Sequence, residues 1–222
     1  MTPKVTFATA KQDFDNAHRA AAATKCIVPV NGKHKRDAAI RDGHGKPSEE
    51  YYKWQFIQSI ITSGQYPRDF VGVEIQFPKG NSAVIKLDGA VFDSAEWVDR
   101  YNAYWTFRRT PDLEWLNAHL LAIIEFKKND KEIEKVFTSQ VRPAMKEKDP
   151  AEAYVLGIYY GADRLYLFQR RRGRILRYDE GKNQKGEESK VGDLSLHLPD
   201  PYNYLPSFDD LVNLVNRPAV LD

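Results

Sequence analysis

The stretch LLAIIEFKK, from Leu120 to Lys128, is a nearly continuous apolar run that ends in charged residues. A run of this length suits a central β-strand whose two faces are both covered. Glu125 and Lys127 stand two residues apart, so on a strand both side chains point to the same face. Because burying an unpaired charge is costly, these charges need ionic partners, a metal ion or the open end of a sheet.

The sequence before this strand predicts a helix and then a β-hairpin. Residues 48–64 combine a suitable N-cap, acids in the first turn, a C-terminal glycine and one apolar stripe, formed by Trp54, Ile57, Ile60 and Ile61. Glu50 projects near the middle of that stripe, and Glu49 falls at its edge. VGVEIQF and SAVIKLDGAVFD, joined by PKGN, predict the hairpin, with Val73, Ile75 and Phe77 on one face.

The sequence after this strand predicts a helix from about Lys131, disturbed by Pro143, and then three strands. Those strands are the runs AYVLGIYY, RLYLFQR and RILRYDE. The order of elements predicts an α/β fold, in which a mixed central β-sheet is flanked by helices on both faces. A helical insertion over residues 94–119 interrupts the order, and Trp97, Tyr101, Tyr104 and Trp105 recur there at the spacing of core residues.

Three regions follow from this pattern. Residues 1–48 are expected to be a peripheral N-terminal arm, with a helix near residues 13–23, a short edge strand at CIVPV and a polar, turn-rich loop over residues 31–47. Residues 49–200 form the expected core, including a last strand at LSLHL. Residues 201–222 are expected to be a C-terminal helix or linker, with Ser207 as the helix N-cap.

Composition narrows the class of protein. The chain of 222 residues is 42% hydrophobic and 12% aromatic, which favours a packed core over disorder. The formal net charge is only +2, so nucleic-acid binding would depend on local segregation of charge. One cysteine, Cys26, excludes an internal disulfide. No signal peptide and no membrane-length apolar run is present, so a cytoplasmic protein without a membrane partner is expected.

Asp88 is the acid expected to join Glu125 and Lys127, because it lies on the second strand of the predicted hairpin. The Glu-x-Lys spacing alone is weak, since it recurs twice in the polar segment 180–190. Asp112 competes with Asp88, because it follows Pro111 only thirteen residues before Glu125. Asp88 is preferred, because PDLEWLNAHL has helical periodicity and proline followed by aspartate is ordinary chemistry for a helix first turn.

The order of these elements resembles that of the PD-(D/E)xK nuclease superfamily. The order is an acid-bearing helix, a hairpin with Asp88 on its second strand, an apolar run ending in Glu-x-Lys, and a further helix. More closely, residues 49–179 resemble the N-terminal nuclease domain of type I restriction enzyme motor subunits and related fused restriction proteins. Three features depart from the pattern. Leu87 replaces the proline, the gap from Asp88 to Glu125 is long, and a Gln-x-x-x-Tyr motif keeps Gln140 but has Ala144 in place of tyrosine.

The resemblance implies a restriction-endonuclease-like fold and an Mg²⁺-dependent DNA endonuclease, in which Mn²⁺ can substitute. It makes Asp88 and Glu125 the metal ligands, together with the backbone carbonyl of Phe126. Lys127 would orient the attacking water, and Glu50 would serve a second metal or support the first ligands. The implied partners are DNA and further domains or subunits of a restriction complex, such as a translocase or a methyltransferase.

Other interpretations stay open. The chain could be a structure-specific or repair nuclease of the same superfamily, or a module of this fold that binds DNA without cutting it. The charged cluster could be a structural ion pair, and Glu50 could serve only the helix dipole. The basic run Arg170, Arg171, Arg172 and Arg174 is a candidate DNA-binding surface, although charge runs are usually solvated.

Overall fold

The computed structural model of the chain describes residues 25–30, 34–39, 41–79, 83–127, 131–146, 155–161, 164–171, 174–178 and 207–216. Strands β1 (Lys25–Val30) and β2 (His34–Ala39) pair with each other in a small antiparallel sheet. The prediction of a strand at CIVPV is therefore confirmed. The prediction of a loop over residues 31–47 is wrong for His34–Ala39, because these polar residues are recruited as the pairing partner of the apolar strand.

A second sheet of six strands contains the candidate site. In spatial order its strands are β3 (Val71–Lys79), β4 (Ala83–Phe92), β5 (Leu120–Lys127), β6 (Val155–Gly161), β7 (Arg164–Arg171) and β8 (Arg174–Tyr178). β5 and β6 are parallel, and all other neighbours are antiparallel. β5 lies inside the sheet with seven of its eight residues buried, as its apolar run predicts.

Helices cover both faces of this sheet, so the predicted α/β architecture is confirmed. On one face, α1 (Glu49–Thr62) and the C-terminal helix of the described chain, which spans Phe208–Asn216, share a core with Ile124 and Phe126 of β5. The other face is covered by the insertion and by the helical segment after β5. None of the helices in the described ranges has the length and apolar character needed to cross a membrane.

The start and end of α1 match the prediction from sequence. Ser48 caps the helix, since its hydroxyl accepts a hydrogen bond from the backbone N–H of Tyr51 at 3.3 Å. Gly64 follows the last turn with φ of 71°, a left-handed conformation that glycine adopts without steric cost. The buried side of α1 includes Phe56, Ile57 and Ile60, and this packing fixes the helix against β5.

The insertion consists of two helices, α2 (Trp97–Phe107) and α3 (Thr110–His119), which pack on the sheet. The Trp97 ring stacks on Phe92 at a centroid distance of 4.9 Å, and its Nε1 donates to the carbonyl of Asp69 at 2.9 Å. The Tyr101 hydroxyl accepts from the backbone N–H of Gln76 at 3.0 Å. The prediction that this aromatic spacing marks core packing is therefore confirmed.

The apolar side chains of β3 do not all lie on one face of the sheet, contrary to the prediction. Val73 packs in the core beneath α1, whereas Ile75 and Phe77 pack in the core on the insertion side. The residue between these two groups, Glu74, has φ of 56°, which is uncommon for a residue other than glycine. This left-handed residue reverses the alternation of the strand, so a period-two pattern read from sequence assigns the wrong face.

The segment after β5 is helical but irregular, as Pro143 predicts. Short helices α4 (Ile133–Val136) and α5 (Arg142–Lys146) flank a π-helical turn over Phe137–Val141. Pro143 has no N–H to donate to the carbonyl four residues earlier, and its ring crowds that carbonyl, so the chain widens just before it. The widened turn still buries Val141 against the sheet.

The last described element is α6 (Phe208–Asn216), the helix already noted beneath the sheet. Ser207 caps it, because its hydroxyl accepts from the backbone N–H of Asp210 at 3.2 Å while the Asp210 carboxylate accepts from the N–H of Ser207 at 3.0 Å. Leu211 is buried in the core beneath α1, so α6 packs on the same core as the sheet. The helix near residues 13–23 and the strand LSLHL lie outside the described residues.

Candidate functional site

Asp88 and Glu125 lie side by side on two neighbouring strands. The antiparallel strands β4 and β5 pair Gly89 with Ile124. Asp88 precedes Gly89 and Glu125 follows Ile124, so the same register brings the two acids opposite each other. The side chain of Glu125 is 2% exposed and that of Asp88 is 16% exposed. The sheet therefore holds two carboxylates close together in a nearly water-free position, which the sequence spacing alone does not establish.

The strand backbone fixes the orientation of Asp88. The N–H of Phe126 donates to Asp88 Oδ2 at 2.8 Å, across from β5 to β4. Within the described part of the chain, Glu125 Oε1 is buried and has no hydrogen-bond partner. A buried acceptor with no donor is costly, so this oxygen is one point at which the site is electrostatically incomplete.

Both acids have a raised pKa, and burial is the largest cause at each. Burial raises the pKa of Glu125 well above its ordinary value, and the nearby Asp88 adds to this effect, while Lys127 acts in the opposite direction. Burial also raises the pKa of Asp88, against the lowering effects of Lys53 and Lys127. The folded chain therefore disfavours full ionisation of both acids unless a further positive charge is present.

Lys127 lies over the pair from the same strand as Glu125. Its Nζ is 3.8 Å from Glu125 Oε2 and 4.0 Å from Asp88 Oδ2, and it donates to Glu49 Oε1 at 3.0 Å. Burial alone would lower the pKa of Lys127, but Asp88 and Glu125 outweigh that effect, and the pKa is raised. The structure thus keeps a charged ammonium group beside the two carboxylates.

Lys53 of α1 forms a second contact to Asp88, on the other side of its carboxylate. Lys53 Nζ lies 3.4 Å from Asp88 Oδ1, donates to Glu50 Oε1 at 2.6 Å and also donates to Glu74 Oε1. Its side chain is only 5% exposed. Burial acts to lower the pKa of Lys53, yet Asp88, Glu50 and Glu74 together raise it strongly.

The two acids at the start of α1 serve different lysines. Glu50, which the sequence places on the apolar side of the helix, contacts Lys53 rather than Asp88 or Glu125 through its Oε1. Glu49, predicted at the edge of the stripe, reaches Lys127 across the site. The first turn of α1 therefore borders the whole carboxylate cluster, and Glu49 belongs to the site as much as Glu50 does.

Asp112, the competing acid, lies elsewhere and is fully engaged. It is almost completely buried on α3, where its Oδ1 accepts from Arg100 at 3.2 Å and its Oδ2 accepts from Arg109 at 2.7 Å. Both carboxylate oxygens therefore have a guanidinium partner on the insertion. The structure brings Asp88, not Asp112, to Glu125 and Lys127.

Two other candidate groups are not among the described contacts of the cluster. Gln140 is half-buried in the π-helical turn, and Ala144, four residues later, is buried. The described partners of Asp88 are Lys53, Lys127 and the N–H of Phe126, so neither residue is among them. For the basic run, the backbones of Arg170 and Arg171 lie in β7 and that of Arg174 lies in β8. Their side chains, and the whole of Arg172, lie outside the described residues.

Reasoning from the sequence missed Lys53 and Glu74. Lys53 stands on the buried side of an amphipathic helix, and a lysine at a core position is a signal that could have indicated a charged partner. Glu74 stands opposite Asp88 in the register of the hairpin, because the pairs on either side are Val73 with Gly89 and Ile75 with Leu87. That register is predictable from a tight hairpin, but the left-handed backbone of Glu74 is not.

A search of known protein families, of curated proteins and of solved structures finds no match to this chain. In the described part of the chain, no three His, Cys, Asp or Glu side chains converge so as to hold a metal ion by themselves. The chemistry of the site therefore has to be inferred from its own residues. These are five carboxylates, Glu49, Glu50, Glu74, Asp88 and Glu125, around two ammonium groups, Lys53 and Lys127.

Proposed function

We propose that this chain is an Mg²⁺-dependent DNA endonuclease domain with a restriction-endonuclease-like fold, in which Asp88, Glu125 and Lys127 form the active site. The observation that carries the proposal is the buried Asp88–Glu125 pair with Lys127 over it, at the end of a central strand. The mixed sheet and the flanking helices support the fold assignment, because they place an acid-bearing helix, a hairpin and this strand in the order of that class.

The donor set fits a hard divalent cation. Mg²⁺ prefers oxygen ligands and is usually held by one or two carboxylates, with water and phosphate oxygens in its other positions. Asp88 and Glu125 supply two carboxylates, and Glu125 Oε1 is a buried oxygen without a hydrogen bond in the described residues. The carboxylates of the cluster also outnumber its ammonium groups, so a divalent cation would reduce the excess of negative charge.

When bound, the metal would lower the pKa of a coordinated water and stabilise charge on the phosphate oxygens. The protein residues have separate tasks. Asp88 and Glu125 hold the cation, and the N–H of Phe126 keeps the Asp88 carboxylate in place. Lys127, which is ionised and close to both acids, can donate to the attacking water and to the phosphate.

DNA is the substrate that the resemblance to PD-(D/E)xK nucleases implies, and the cleavage module of a larger restriction or defence protein is the setting we infer. Further domains, such as a translocase or a methyltransferase, would then supply sequence specificity. A structure-specific or repair nuclease of the same class has the same active-site chemistry. It would differ in preferring branched over plain duplex DNA.

Cleavage of supercoiled plasmid DNA in Mg²⁺ tests the proposal. We expect the wild-type chain to nick or linearise the plasmid, with Mn²⁺ able to replace Mg²⁺. Lys127→Met should lower the single-turnover rate by about 10²–10³-fold, because it removes a positioned donor from the reacting phosphate. Glu125→Gln should abolish cleavage, because it removes a ligand from the cation.

Lys131→Met is the matched control, since Lys131 is an exposed lysine shortly after β5. It should cleave at the wild-type rate. DNA binding without cleavage by the wild type, in Mg²⁺ and in Mn²⁺ and on branched as well as duplex DNA, would contradict the proposal. That outcome would instead favour a non-cutting binding module.

A further inference from the structure

The two carboxylate oxygens of Asp88 face two different groups of residues. We call the position beside Glu125 and Lys127 the first subsite, and the position of Lys53 Nζ among Glu50, Glu74 and Asp88 the second subsite. Oδ2 faces Lys127 and accepts from the N–H of Phe126, on the side of Glu125. Oδ1 faces Lys53, on the side of Glu50. Two-metal sites hold their cations about 3.5–4 Å apart. A carboxylate that presents one oxygen to each of two neighbouring positions could therefore serve two such cations.

The second subsite already contains a positive charge. Lys53 Nζ sits among Glu50, Glu74 and Asp88, three carboxylates from three different elements of the fold. The lysine is almost entirely buried, and its partners are close enough for charge-assisted hydrogen bonds. An ammonium nitrogen in this position takes the place that a second hard cation would need.

The backbone adopts a conformation at Glu74 that has an energetic cost. A left-handed glutamate within a strand is disfavoured, because its Cβ crowds the following carbonyl, and it persists only where its surroundings compensate. The ion pair with Lys53 is one compensating contact. Because this conformation turns the Glu74 carboxylate to Lys53, the hairpin is shaped around the ammonium group.

We propose that Lys53 is a resident cation that occupies the second metal subsite, so that the chain binds a single divalent ion between Asp88 and Glu125. The inference rests on the proposed function, because it concerns the number of ions at that same site. In this arrangement Glu50 and Glu74 are positioning residues for Lys53, and neither is a metal ligand in the wild-type chain. Lys53 positions Asp88 from the side opposite to the first metal.

Counting bound Mn²⁺ tests the inference without any cleavage assay. Free Mn²⁺ is measured by electron paramagnetic resonance during titration of the metal-free chain. We expect about one ion per chain for the wild type and about two for Lys53→Met, because without the ammonium group the three carboxylates that surround it can close on a second ion. Lys53→Gln should give the same increase, and its amide can still donate to the carboxylates if the methionine variant does not fold.

Lys127→Gln is the matched control, because it removes the other ammonium group of the same cluster. It should keep about one ion, since Lys127 lies over the first subsite rather than in the second. Two ions in the wild type, one ion in a folded Lys53 variant, or an equal gain in Lys127→Gln would each overturn the inference while leaving the proposed metal site intact. A wild type that binds no Mn²⁺, either alone or with a DNA duplex present, would overturn the proposed function together with the inference.

Discussion

Two buried aspartates of this chain show the difference between a closed ion pair and an open site. Asp112 is 2% exposed, and both of its oxygens accept from guanidinium groups, Arg100 and Arg109. Asp88 is held by a backbone N–H and two lysines, but it stands beside a second buried acid, Glu125. Asp112 and Glu96, which also pairs with Arg100, are matched by two arginines. Asp88 instead belongs to a cluster in which carboxylates outnumber cations.

Asp112 and the Asp88–Glu125 pair also differ in what they contribute to the stability of the fold. The arginines around Asp112 satisfy its acceptors and connect α2 to α3, so the charge stabilises the insertion. The Asp88–Glu125 pair has a raised pKa at both acids, chiefly because of burial. A group whose charge is disfavoured in the folded state does not stabilise that state, which is the usual condition of residues retained for chemistry.

The largest change in stability is expected from a substitution of Asp112, whose carboxylate is paired with Arg100 and Arg109. Asp112→Asn should lower the free energy of unfolding by about 2 kcal/mol, because it removes charge-assisted hydrogen bonds to two guanidinium groups. Denaturation by urea, followed by circular dichroism in the absence of divalent ions, measures this change. Retention of wild-type stability would show that the arginines contribute nothing and that the comparison is mistaken.

Glu125→Gln should act in the opposite direction under the same conditions. At about pH 8 without divalent ions, the amide removes a buried negative charge next to Asp88, so the variant should be at least as stable as the wild type. The same denaturation experiment compares the two variants directly. A clear loss of stability in Glu125→Gln would mean that Glu125 is a structural partner of Lys127 and not part of an open site.

A smaller effect is expected in the dependence of stability on pH. The pKa of Glu125 is raised above its ordinary value of 4.5, so below that value the acid is protonated in both states. As the pH rises above 4.5, the unfolded chain releases the proton first, and the folded state becomes less stable. Unfolding measured without divalent ions should therefore show a fall in stability toward alkaline pH that Glu125→Gln reduces. Parallel pH profiles for the wild type and Glu125→Gln would show that Glu125 has no raised pKa in the folded chain. The contrast between the site around Asp88 and the ion pairs of Asp112 would then lose this support.

The sequence was sufficient for the parts of this comparison that depend on periodicity. The apolar run before Glu125 predicts a central strand, and the helical spacing after Pro111 predicts that Asp112 lies on a helix. Caps predict where α1 and α6 begin, since Ser48 and Ser207 each present a hydroxyl to the first turn. These features are local, so a single sequence is enough to predict them.

Features that depend on tertiary contacts were not predictable in the same way. The face reversal of β3 follows from one left-handed residue, Glu74, whose conformation is stabilised by Lys53 on a different element. The same long-range contact places Lys53 in the candidate site, although it is distant in sequence from Asp88. The partners of Asp112 were missed for a similar reason, because the position of Arg100 depends on how α2 packs against α3.

Binding of Mn²⁺ measured by calorimetry tests the central claim most directly, namely that Asp88 and Glu125 form a cation site and Asp112 does not. We expect the wild type and Asp112→Asn to bind with the same affinity, and Asp88→Asn and Glu125→Gln to lose binding. The same titration in Ca²⁺ with a DNA duplex present shows whether the site is completed only by the substrate. Loss of binding in Asp112→Asn, or unchanged binding in Asp88→Asn and Glu125→Gln, would contradict the claim.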